Sequence, residues 1–155
     1  MFKKSISAAA LCLLLAGCEV PVIIAAEAND GKWGGKGQSM FEIEFPAVMI
    51  VQVDGLEEEV LKGPLLGHAN GTARYTLTGP NWGTCEGAYT KEGLSTMTCA
   101  NGFDVAIDIG ERRSKMSGHY IVSGEEKGHA FRSILGWGKE ADEAQLRALL
   151  AASNG

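Results

Sequence analysis

Cys85 and Cys99 carry the clearest chemistry in this sequence. Residues 84–90 and 94–100 read as two strands joined by the turn Lys91-Glu92-Gly93. Setting Thr90 opposite Leu94 and stepping outward brings Cys85 directly opposite Cys99. Opposed residues of an antiparallel pair hold their α-carbons about 4.5–5.5 Å apart, which a disulfide accepts. No C-x-x-C spacing is present to depress a thiol pKa, so the pair reads as a structural bridge rather than a redox couple. A loop closed this way contributes about 3 kcal/mol in the chain-entropy picture. The other candidates do not assemble. A metal needs several ligands to converge, yet a last hairpin drawn with Ser123 opposite Gly128 sets His119 and His129 on opposite faces, with His68 elsewhere. Asp104 and Asp108 are about 13 Å apart along one strand, beyond the spacing of paired glycosidase carboxylates. No G-x-S-x-G, phosphate-binding glycine loop or H-E-x-x-H occurs, so no catalytic centre, metal or cofactor is implied. Glu57-Glu58-Glu59 reads as a solvated acidic rim, which together with Glu125-Glu126 would face a cationic partner. Trp82, in the loop Gly79-Pro80-Asn81-Trp82-Gly83, reads either as the anchor of a binding loop or as a plug for the end of the sheet.

A further cysteine stands in a different setting. Phe2-Lys3-Lys4-Ser5 is a short cationic start, and residues 6–16 are apolar or small throughout. These are the n-region and h-region of a bacterial export signal, too short to span a bilayer as a stable anchor. The run ends in Leu15-Ala16-Gly17-Cys18. It resembles the lipobox of bacterial lipoproteins: a branched apolar residue, two small residues, then cysteine. Ala16 and Gly17 let an extended backbone enter a peptidase cleft, and Cys18 supplies a soft nucleophile for thioether formation. The resemblance implies cleavage before Cys18, acylation there, and a membrane anchor of several acyl chains, which together hold stably where one would not. It also implies an oxidising envelope compartment, in which Cys85 and Cys99 would be bridged. Glu19, by similarity to enterobacterial lipoproteins, favours the outer membrane, facing the periplasm, over the inner. The alternative is an ordinary secretory signal cleaved after Ala26-Glu27-Ala28.

The elements around these residues are short. Residues 18–39 read as lipidated N-terminus and flexible tether, with Asn29-Asp30-Gly31 and Gly34-Gly35-Lys36-Gly37 turn-prone and Trp33 a lone exposed aromatic. A period-two pattern then begins: Phe41, Ile43 and Phe45 alternate with Glu42 and Glu44, Pro46 interrupts, and 47–53 resumes. Asp54-Gly55 is expected to turn the chain into a returning strand over 56–62. Further strands follow at 72–78, 84–90, 94–100, 103–109, 116–123 and 128–135, separated by glycine-rich turns. Such spacing indicates an antiparallel meander forming a small barrel or sandwich, mainly β, over 40–138. A two-residue turn at Asn101-Gly102 would set the disulfide on the face of Asp104 and Asp108, opposite Phe103, Val105 and Ile107. Either the bridge staples a partly exposed face or a bulge changes the phase. Residues 139–155 form a C-terminal helix and tail: 140–152 lacks Gly and Pro, and Leu146, Leu149 and Leu150 share a face suited to an open end or edge of the sheet.

The 155 residues bound one domain, with a net charge of −5. Without Lys3 and Lys4, 12 basic residues remain against 19 acidic, or −7. No basic stripe favours nucleic acid. Met97-Thr98-Cys99-Ala100-Asn101-Gly102, with Ser117-Gly118-His119-Tyr120 downstream, is similar to patterns in the periplasmic and membrane-bound inhibitors of C-type lysozyme. Those are small β-barrel proteins that block a cationic muramidase; here Met97 stands where that family has Tyr, and no inhibitory residue is carried over. The expectation is an exported lipoprotein whose β domain binds or supports an envelope partner without catalysis, or alternatively inhibits a cationic hydrolase such as lysozyme.

Overall fold

The computed structural model describes residues 20–33, 42–111 and 115–153; the expected signal peptide and Cys18 lie outside them. It is mainly antiparallel β. A short helix, α1 (Val20–Glu27), leads to β1 (Lys32–Trp33). The chain then meanders through β2 (Glu42–Val53), β3 (Glu59–His68), β4 (Ala73–Gly79), β5 (Gly83–Tyr89), β6 (Leu94–Cys99) and β7 (Asp104–Asp108). It crosses to β8 (Gly118–Glu126) and β9 (His129–Trp137), and ends in a 3₁₀ turn (Gly138–Glu140) and helix α2 (Glu143–Ala152).

The sheet runs β7-β6-β5-β4-β3-β2-β9-β8, with β1 added to β2. It curls until its two ends approach, Ile107 of β7 packing over Gly124 of β8. The Lys127 Nζ donates to the Gly102 carbonyl at 2.9 Å across the same seam. The result is a nearly closed barrel. Alternation supplies its filling: Tyr75 and Leu77 of β4, with Phe45, Met49 and Val51 of β2, point inward and are buried.

β2 is a single strand, running straight through Pro46. Pro46 and Pro64 face each other across the β2–β3 ladder. On the other edge of β2, pairing with β1 stops at Glu44 and pairing with β9 starts at Ala47. The missing N–H therefore costs no ladder bond, as edge positions allow.

Three turns differ from expectation. At Asn101-Gly102 only the glycine takes positive φ, +88°, whereas a two-residue type I′ turn needs it at both positions. The loop instead holds Ala100, Asn101 and Gly102, with the Cys99 N–H donating to the Phe103 carbonyl at 2.8 Å. Met97 pairs with Val105, not Ala106. That one-residue slip exchanges the faces of β7 and settles the phase of the disulfide: Cys85 and Cys99 point inward with Met97 and Phe103. The last hairpin turns at Lys127-Gly128, both at positive φ, so Glu126 pairs with His129 and both strands are longer than expected. After Asp54-Gly55, the Leu56 N–H donates to the Val53 carbonyl at 3.0 Å. Strand β3 begins only at Glu59 and runs to His68.

The segment read as a free tether is partly built into the fold. Lys32 and Trp33 pair with Glu44 and Ile43, and Ala26 is fully buried. Gly31 permits the approach: a Cβ there would lie 2.6 Å from the Phe45 ring and 2.9 Å from the Ala26 carbonyl. Trp33 is half-buried against the core, not a lone exposed aromatic.

Helix α2 starts later than expected, because Asp142 caps it by accepting from the Gln145 N–H at 2.8 Å. It lies on the outer face of β2 and β9, rather than on an end or edge. Leu146 and Leu150 cover Val48, Ile50 and Ile134 there, which explains why β2 is apolar on both faces. Arg132 Nη2 reaches its last turn, donating to the Leu150 carbonyl at 3.3 Å and to Ser153 Oγ at 2.5 Å.

Candidate apolar binding cavity

The two ends of the barrel are built differently. One is closed. Trp82 stacks on Phe103 at 4.7 Å between ring centroids, and Phe103 meets Phe131 edge-on at 5.5 Å. The Cys85–Cys99 bridge joins β5 to β6 beneath them, with α-carbons 4.0 Å apart. Trp82 is only 5% exposed, so it plugs this end and is not an exposed anchor of a binding loop. Its loop is held from inside by Glu59, which is fully buried. The Glu59 carboxylate accepts from the Asn81 N–H at 3.1 Å, Asn81 Nδ2 at 2.9 Å and the Trp82 N–H at 3.4 Å. The acidic triplet is therefore not a uniform rim.

The other end opens on a cavity of about 470 Å³. Its wall comes from the start of β2 (Ile43, Phe45), the end of β3 (Leu65, Gly67) and the ends of β5, β7 and β9. The space exists because small residues fall together. Gly67 and Ala73 are paired across β3–β4, and a Cβ on Gly67 would meet nothing nearer than the Phe45 ring at 3.6 Å. Larger residues fill the layers below. Tyr75 and Tyr120 floor the cavity, since both also line the small void of about 20 Å³ beneath it. Val22 of α1 and Trp33 of β1 complete the mouth. The polypeptide leading from Cys18 thus forms part of the wall.

The hydroxyls of Tyr75 and Tyr89 and the indole N–H of Trp137, all in the wall, are occupied by the protein itself. The Tyr75 hydroxyl donates to the Thr96 carbonyl at 3.3 Å, Tyr89 to Gly110 at 3.1 Å, and Trp137 Nε1 to the Lys115 carbonyl at 3.0 Å. Burial, reinforced by the neighbouring Tyr120, pushes the Tyr75 phenol above its ordinary pKa, so it stays a neutral donor. Among the described residues no buried side-chain nitrogen or oxygen lacks a partner. Directed hydrogen bonding to a ligand has little to work with here; hydrophobic burial has much.

The remaining candidates are dispersed. His68 Nε2 and Arg74 Nη2 meet the buried Glu42 at 3.4 and 2.8 Å. His119 Nδ1 meets Glu140 at 2.5 Å, and His129 Nδ1 lies 3.2 Å from the Asp54 carbonyl. No group of three or more His, Cys, Asp or Glu that could hold a metal occurs among the described residues. Asp104 accepts from Thr98 Oγ1, and Asp108 from the Gly110 N–H. Of the segment Ser117-Gly118-His119-Tyr120, Tyr120 is buried and turned into the barrel. No helix among the described residues is long and apolar enough to cross a membrane.

Comparison of the chain with protein-family models, curated proteins and solved structures gives no match.

Proposed function

We propose that this protein is an exported envelope lipoprotein, anchored through acylated Cys18, whose barrel is a non-enzymatic module that takes a small apolar ligand into its open end. The cavity carries this reading. At about 470 Å³ it falls within the roughly 300–1,000 Å³ of small-molecule sites, which are concave and mostly apolar. Barrels of about eight strands have room for filling side chains or for one small ligand, and here one end is filled while the other is not. The lipobox-like Leu15-Ala16-Gly17-Cys18 supports the anchor. Chemistry has no comparable support: among the described residues the wall carries no carboxylate, cysteine or serine.

The test is uptake of an environment-sensitive apolar fluorophore by the full chain carrying Cys18→Ala, which removes the acylation site. Wild-type cavity residues should give saturable binding at one site. Gly67→Leu, which points into the space without a backbone clash, should reduce affinity at least tenfold with no loss of thermal stability. Equal binding by both chains, or none by either, would overturn the assignment.

A further inference from the structure

We infer that the ligand is a single aliphatic chain with an anionic head, its tail inside the barrel and its head at Lys115. This rests on the cavity being a binding site and names the class of molecule it takes.

The tail follows from the wall. Any polar group carried inside would lose its water, and the hydroxyls and indole N–H nearest to it already donate to Thr96, Gly110 and Lys115 carbonyls. Burying a polar group without a partner is costly, whereas each buried methylene is favourable. What enters is therefore hydrocarbon. Its cross-section must also be small. An eight-stranded barrel has an interior little wider than its own side chains, and the cavity is floored at Tyr75 and Tyr120. A flexible chain adapts to a blind space of this kind more readily than a rigid fused-ring skeleton does.

The head follows from the charges. Acidic residues are the more numerous charged class of the chain, yet among the described residues none lines the cavity. Among the described residues two basic side chains do, His68 and Lys115. His68 is turned to Glu42. Lys115 is exposed and makes no ion pair with a described residue. Its backbone carbonyl fixes Trp137, so its place at the rim is set by the main chain while its ammonium is left to solvent. A carboxylate or phosphate at the mouth would gain a charge-assisted hydrogen bond there, which a neutral head cannot. The site is wet, so the gain is modest.

The experiment is a competition series on the same full-length Cys18→Ala chain, displacing the fluorophore with palmitate, hexadecanol, hexadecyltrimethylammonium, lyso-phosphatidylglycerol and cholesterol. Palmitate should bind about two- to fivefold more tightly than hexadecanol, the scale of an exposed ion pair, and the cationic amphiphile most weakly. Lys115→Gln should bring palmitate down to the level of hexadecanol and leave hexadecanol unchanged. The order of palmitate and the lysolipid distinguishes a free fatty acid from a membrane lipid as the source of the same chemistry. Equal affinity for acid and alcohol in the wild type, or preference for cholesterol, would overturn the inference while leaving the cavity a binding site. Failure of the fluorophore to enter at all would remove the site itself.

Discussion

Glu59 is surrounded in sequence by residues that misrepresent it. Read as part of Glu57-Glu58-Glu59, it belongs to a solvated rim; counted back in twos from Leu65 and Leu61, it belongs to the barrel interior. The alternation was the better guide, because register decides which way a strand residue points whatever its chemistry. Glu58 goes the other way, to Gln52 Nε2 at 2.8 Å and to Arg147. What the sequence could not show is the partner that makes burial of Glu59 tolerable: the donors come from Asn81 and Trp82, 22 and 23 residues away. Removing the carboxylate by Glu59→Ala leaves these donors, the buried Trp82 N–H among them, without their acceptor, at a cost of about 1–3 kcal/mol. Urea unfolding should show the midpoint falling at unchanged m-value. Ligand uptake at the opposite end should be retained in the folded fraction. An unchanged midpoint would mean that solvent reaches this loop. Trp82 was legible as one of two alternatives, and its burial in the plug chooses between them.

At the scale of elements, strand positions were mostly legible, while turn lengths were legible at Lys91-Glu92-Gly93 and missed at the other hairpins. Asn-Gly signals positive φ at the glycine, but a two-residue loop and a three-residue loop ending in that glycine both meet the requirement. The tie is broken by a nonlocal condition, that Phe103, Val105 and Ile107 face inward with Met97. The pairing of Cys85 with Cys99 was readable because its hairpin loop ends in Gly93, the glycine at φ +103° that the three-residue reading required. Helix α2 was visible from composition, while its seat was not, since nothing local says that Val48, Ile50 and Ile134 form an outward apolar strip. That strip gives a test. Leu146 is fully buried in it and Leu149 only half-buried. Leu146→Ala should cost about 2–5 kcal/mol, the range for emptying a core site, and Leu149→Ala clearly less. Thermal or chemical denaturation measures both, and apolar uptake should be untouched in each because the helix lies outside the barrel. The ion pairs beside it contribute differently. Hydrogen bonds from Lys62 and then Arg147 hold the exposed Glu143 carboxyl below its ordinary range. Whatever stability they lend is present at neutral pH, is lost as pH falls through that lowered value, and is screened by salt.

For the whole molecule, the cavity is the feature with no signal in the sequence. It depends on Gly67, Ala73 and the bulk of Phe45 and Tyr75 falling at one height of a closed sheet, a property of register across several strands and of no single segment. Residues 20–33 of the expected tether are built into the fold for a related reason: α1 and β1 are too short to announce themselves and exist through what they dock on. Their docking bears on processing. Cleavage after Ala28 would discard α1, including the fully buried Ala26 and the Val22 that walls the mouth. Cleavage before Cys18 keeps both and leaves the first residue of α1 only two positions from the acylated cysteine. An anchor so close would hold the open end of the barrel near the lipid surface, where single-chain amphiphiles are found. Intact-mass spectrometry of protein processed in cells should therefore show a chain beginning at Cys18 and carrying several acyl groups, and Cys18→Ala should abolish the acyl mass and release the protein from membranes. A mature chain beginning at Asn29 without fatty-acyl mass would remove the anchor, α1 and one wall of the cavity together. Membrane attachment and ligand uptake would then both need another explanation.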